Sequence, residues 1–199
     1  MRRLLYAVSK EERAVPGLPH LQAQAVDDLW VFSSAVEDES ALGGEERLRA
    51  FHKDLRVLVE NVDIVTFRYP TVVEDSAMET LVRKEAEGIR ESLRRTAGCV
   101  QMDVELWETP SGGARAVSGS EYLRAKSLAR KATVARAQEI AGSVGVAMSD
   151  VRVEERGGRA VLCALVGRGA VEEFVRKVRE HEPERRITGP WPAAAFWVR

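Results

Sequence analysis

"SDVRVEERGGRAVLCALVG", Ser149 to Gly167, is the stretch on which the fold of the second half turns. Two strand-like runs flank Gly157-Gly158. A two-residue turn needs positive φ, which glycine supplies without strain, so the stretch reads as a β-hairpin. Upstream, Ser118 and Glu121 have the spacing of a capping box and open a helix that runs to about Ser143. Before it, "TPSGGARAVSGS" reads as a flexible loop. Before that, "CVQMDVELWE" alternates Val100, Met102, Val104 and Leu106 with Gln101, Asp103 and Glu105, the period of a half-buried strand.

Downstream of the hairpin, Val171, Phe174, Val175 and Val178 form one more helical stripe. The chain then closes with "ITGPWPAAAFWVR", Ile187 to Arg199. The order from residue 99 is β-α-β-β-α-β, the ferredoxin-like split βαβ pattern. That topology places the last strand at a sheet edge beside the first. Pro190 and Pro192 lack N–H groups, so an edge is where they fit. Phe196 and Trp197 are expected on opposite faces of this closing strand.

The first half is harder to read. "RRLLYAVS" (2–9) is a short buried strand and "VPGLPHLQ" (15–22) a loop. "AQAVDDLWVFSSAV" (23–36) makes two strands about Asp27-Asp28, and a charged loop follows. Leu48, Phe51, Leu55, Leu58 and Val59 recur at three and four residues, the stripe of an amphipathic helix. "VDIVTFRYPTVV" (62–73) returns to strand character. Ser76 and Glu79 form a second capping box. Behind it Met78, Leu81, Val82, Ala86, Ile89, Leu93 and Ala97 share a face, and Gly98 is the stop. The reading is α+β with two small domains: 1–75, a small mixed sheet with helices; 76–98, a connecting helix; and 99–199, ferredoxin-like.

Composition narrows the function. Lys+Arg 30 against Asp+Glu 31 lacks the basic excess of a nucleic-acid binder. The strand "RAVLCALV" carries no aromatics on which RNA bases could stack. No apolar run approaches the roughly 20 residues that span a bilayer, and no export signal is read in "MRRLLYAVSKEE". Cys99 and Cys163 stand alone and read as buried free thiols of a reducing cytoplasm.

No catalytic, cofactor or metal constellation is found. His20, His52 and His181 lie in different elements, and a metal site needs clustered ligands. "VGRGAVEEF" (166–174) has a strand, a G-x-G and a helix start in order. However, Glu172 stands where a dinucleotide site needs a small residue. Arg124, Lys126, Arg130, Lys131 and Arg136 lie on one helix, either as a solvated face or as a surface for an acidic partner. Trp107 alternates onto the polar side of its strand, an interface candidate unless the first half or the connecting helix covers it.

The closing "TGPWPAAAFWV" resembles the "TGPWPPY-F" signature of the gas vesicle protein GvpF/GvpL family. "LLYAVS", "FRYPTVVED", "GCVQMDVELWE", "GSEYLRAK" and "LCALVGRGAVEEFVRKV" follow in the family's order, so the resemblance spans the chain. Two departures stand out. Tyr69-Pro70 occupies the place of Phe-Gly, and Ala193-Ala194 that of Pro-Tyr. The resemblance implies a non-enzymatic accessory protein of gas vesicle formation, located in the cytoplasm and at the vesicle. Its implied partners are the small hydrophobic shell protein and other accessory proteins, with no cofactor. The candidate contact surface is Trp107 with Thr188, Gly189, Pro190, Trp191, Pro192, Phe196 and Trp197. The competing reading is that Trp191 plugs a structural seam. The rival function is a small-molecule-sensing ferredoxin-like module or a diverged enzyme, which needs a pocket with convergent polar groups.

Overall fold

A computed structural model describes residues 1–12, 15–106, 118–144, 148–156 and 159–198. Two compact units emerge. One comprises Met1–Val100 with Pro190–Arg199, and the other Gln101–Gly189. Each carries a β-sheet with helices against it, an α+β architecture.

In the first unit, β1 (Arg2–Ser9), β2 (Gln22–Val26), β3 (Leu29–Val36), β4 (Val65–Thr66) and β5 (Val72–Glu74) form one sheet in the order β2-β3-β1-β4, with β5 also on β1. Every pairing in it is antiparallel, where a mixed sheet was expected. Strand β1 is buried from Arg3 to Ser9, because both faces are covered. On one face, Leu5 and Val8 pack with Met78, Val82, Ala86, Ile89 and Leu93 of α2 (Asp75–Arg95). On the other, Tyr6 stacks on Phe51 of α1 (Glu45–Asn61), ring centroids 4.7 Å apart. The helix read as a connector therefore contributes its buried stripe to this unit's core.

Three local details differ from the sequence reading. Leu48, counted in the α1 stripe, lies exposed at the start of the helix. The 62–73 run gives only two short strands, β4 and β5, with a cis Tyr69-Pro70 bond between them. The Ser76–Glu79 capping box does not form. Helix α2 begins one residue earlier, where Asp75 donates its N–H to the Met1 carbonyl and accepts from Arg3 Nε at 2.8 Å. Its other end is as expected, with Gly98 at φ +69°, where glycine is free of the Cβ penalty. The Gly98 N–H donates to the Asp63 carboxylate at 3.0 Å.

In the second sheet, β6 (Cys99–Leu106), β7 (Met148–Arg156), β8 (Arg159–Gly167) and β9 (Ile187–Trp191) lie in the order β7-β8-β6-β9. Helices α3 (Gly119–Val144) and α4 (Val171–His181) connect them. This is the ferredoxin-like order, with the closing strand at an edge beside β6. The β7–β8 ladder is antiparallel and extends to the pair Arg156–Arg159; Gly157-Gly158 lie outside the described residues. Ala137, Ile140 and Val144 of α3 and Phe174 and Val178 of α4 are buried. Arg136 of α3 pairs with Glu182 just past α4, and Arg185 Nε donates to the same carboxylate at 2.9 Å.

Strand β6 departs from its expected half-burial. Gln101 and Asp103, on its polar side, are buried. On β8, Val161, Leu162, Cys163, Ala164, Leu165 and Val166 are all buried, so both faces of the sheet are covered.

Candidate partner surfaces

The closing segment is built into the fold. Gly189 sits in β9 at φ +130°, and a Cβ there would lie 2.7 Å from Met102 Sδ and 2.9 Å from the Gln101 carbonyl oxygen. The thioether could swing aside, but the backbone carbonyl could not, so only glycine fits. After β9, a turn of 3₁₀ helix at Ala194–Phe196 buries Phe196 completely. The Val198 N–H donates to Ser92 Oγ of α2 at 3.0 Å, which ties the end of the segment down.

The expected surface is therefore smaller than the signature that suggested it. Thr188, Gly189, Pro190, Trp191 and Pro192 are half-buried. Phe196 is core, and strand β9 ends at Trp191, so Phe196 and Trp197 are not opposite faces of a strand. Trp197 is half-buried, with an indole N–H shielded from water and lacking an acceptor among the described residues. Trp107 lies outside the described residues. Trp191 and Trp197 carry the two indole rings among these half-buried residues. The Arg56 guanidinium stands 5.7 Å from the Trp191 ring centroid, a cation–π arrangement.

The sequence reading missed a buried polar cluster. Asp103 accepts from Gln101 Nε2 at 2.8 Å and from Arg156 Nη1 at 2.6 Å. Arg156 also lies 3.3 Å from Cys163 Sγ. Burial pushes the Cys163 thiol up to about 12, and the Asp103 charge adds to the push. A thiol held protonated in this way is a packing group, not a nucleophile. Only the alternation of β6 hinted at the cluster. A polar alternate face reads as solvated unless its cover is known.

A groove of about 870 Å³ opens between α1 and the first sheet. Tyr6, Phe51 and Tyr69 line its apolar side, and His20 Nε2 meets Asp54 Oδ2 at 2.9 Å. Burial raises the Tyr6 phenol above its ordinary range. A hydrogen bond with Ser34 opposes that rise, and the Asp54 charge reinforces it. Glu37 and Asp38 stand at the β3 end of the groove. Among the described residues no cluster of His, Cys, Asp and Glu could hold a metal ion, and no helix is long and apolar enough to cross a membrane.

The two-sheet α+β fold is shared with solved gas vesicle proteins. Gas vesicle protein GvpF from Microcystis aeruginosa superposes with a TM-score of 0.73 at 15% identity, covering 98% of each chain. GvpF from an Anabaena species gives 0.69 at 15% identity, covering 98% of this chain and 97% of that one. No curated protein matches the sequence significantly. The sequence matches the gas vesicle synthesis protein GvpL/GvpF family over residues 2–197, and the chain belongs to that family. Its role is an accessory one in gas vesicle formation.

Proposed function

We propose that this chain is a non-enzymatic cytoplasmic accessory protein that binds the small hydrophobic shell protein, or another accessory protein, during vesicle assembly. An unassembled hydrophobic subunit exposes apolar surface and strand edges, and a partner that buries them keeps it from aggregating. The match over residues 2–197 carries the reading. The half-buried Trp191, on an edge strand and beneath Arg56, supplies a contact of the right chemistry.

Co-expression with the shell protein and capture at moderate salt tests it. Stoichiometric capture that is lost in Trp191→Ala, with unchanged melting, supports the contact. Capture unaffected by Trp191→Ala, with a lowered melting temperature, makes Trp191 a structural plug and moves the contact elsewhere.

The α1 groove favours a second reading, a small-ligand site, because it brings Tyr6, His20 and Asp54 together beside apolar walls. A melting shift with a small polar ligand, abolished by Asp54→Ala, would support it.

A further inference from the structure

Among the described residues, nothing buries the first half of α3. From Gly119 to Ala132 no residue of described burial is buried, whereas Ala137, Ile140 and Val144 pack at the other end. Tyr122 is 58% exposed, Leu123 66% and Leu128 67%. Tyr122 lies about five turns before Ile140 and so on the same stripe, which continues past the last residues it buries among the described ones. A solitary helical stretch of this length is marginal in water, and its apolar side chains call for a partner.

Charge says which partner. The chain is nearly neutral, yet its charges are segregated. Residues 119–131 contain Arg124, Lys126, Arg130 and Lys131 against the single acid Glu121. Residues 37–46 contain Glu37, Asp38, Glu39, Glu45 and Glu46 and no base. That acidic stretch adjoins the α1 groove, where Glu37 and Asp38 form the wall at the end of β3. Arg47 and Lys53 lie on the α1 wall, so a basic helix would sit toward β3. The apolar side of the groove is of the kind that takes aromatic and leucine anchors.

We propose that the exposed half of α3 docks into the α1 groove of a second copy of this chain, with Tyr122 and Leu123 entering it and Arg124 facing the Glu37–Asp38 wall. Two α3 helices cannot pair with each other, because like charges would meet. A flat lipid surface suits the helix less. Leu128 lies about 140° round from Leu123, whereas an interfacial helix gathers its apolar residues on one face. The contact joins unlike surfaces, so each copy keeps one helix and one groove free. Association then continues past the dimer unless a ring closes.

Sedimentation velocity of the full chain at low salt tests this. The mass is expected to rise with concentration beyond two copies. It should fall back at 1 M salt, where the Debye length shrinks to about 3 Å. Leu123→Asp with Arg124→Glu disables the helix, and Glu37→Lys with Ala50→Arg blocks the groove. All four positions are exposed, and unchanged melting verifies both folds. Each variant alone is expected to be monomeric, and a one-to-one mixture to form a dimer and stop there. Tyr122→Asp repeats the helix-side test independently. The proposal is overturned by a wild type that stays monomeric, by variants that associate like wild type, or by a mixture that remains monomeric. A monomeric wild type that binds anionic vesicles through α3 would assign the helix to lipid instead.

Discussion

Gly189 lies against Met102 across two neighbouring strands, with the methionine sulfur and the Gln101 carbonyl oxygen in the space a side chain at 189 would need. The glycine of the family signature is therefore explained by packing. Gly189→Ala adds a steric clash to a backbone at φ +130° that L residues rarely adopt. The expected cost is about 1–3 kcal/mol, read as a melting temperature lower by several degrees. Adding Met102→Ala should cost less than the sum of the two single changes. An unchanged melting temperature in Gly189→Ala would refute the packing account.

Phe196 and Trp191, five residues apart, should differ in how much each contributes to stability. Phe196→Ala removes a fully buried ring and is expected to cost about 3–5 kcal/mol. Trp191→Ala removes a half-buried ring, so its effect on unfolding in denaturant should be the smaller of the two. Equal losses would place Trp191 in the core with Phe196.

Cys163 makes stability depend on alkaline pH. Burial raises its thiol in the folded chain to about 12, from an ordinary value of about 9. A group with a raised folded pKa contributes stability fully below its unfolded value and loses it as pH climbs toward the folded one. Between about pH 9 and 12 the unfolded thiol ionises while the folded one stays protonated, so stability falls with pH. Cys163→Ala should flatten that fall in pH-dependent denaturation curves. In native protein near neutral pH, Cys163 should resist alkylation and become reactive on unfolding.

Arg156→Met should leave Asp103 buried with Gln101 and the Cys163 thiol as its side-chain partners among the described residues. Breaking a fully buried pair costs about 3–5 kcal/mol, but the Arg156 side chain is 42% exposed, so about 2 kcal/mol is expected. Asp103→Asn in the same chain should recover part of it, because no buried charge is then stranded. A double variant no more stable than Arg156→Met alone would count against this account.

The second half was the more legible, because its signals are local. A Gly-Gly pair between strand-like runs, a capping serine, an alternating strand and one helical stripe each mark an element from its own neighbours. Cys163 was rightly expected to be buried, for it stands inside an apolar run, whereas Cys99, expected to be buried too, is only half-buried at the start of β6. What escaped were features set by distant partners. Gln101 and Asp103 look solvated until Arg156 is seen beside them. Ser76 has capping spacing, but Arg3 and Met1 settle where α2 begins. The groove joins Tyr6, His20 and Asp54 from three separate places in the chain, and no spacing rule reports that. At the candidate surface, the signature drew attention to Gly189 and Phe196 together with Trp191. A motif kept for packing and one kept for binding look alike in a single sequence.

The first unit is assembled from residues 1–100 and 190–199, and everything between belongs to the second. Gln101 and Gly189 touch across adjacent strands, so the chain leaves and returns within about one inter-strand spacing, roughly 5 Å. Topologically the second unit is an insertion with closely spaced ends, not a tail. Cutting once near residue 98 would strip the first unit of Phe196 and of the Ser92–Val198 tie. To dissect the protein, the intervening segment has to be excised and the two strands rejoined by a short linker. The same two crossings offer a ready place to graft another domain.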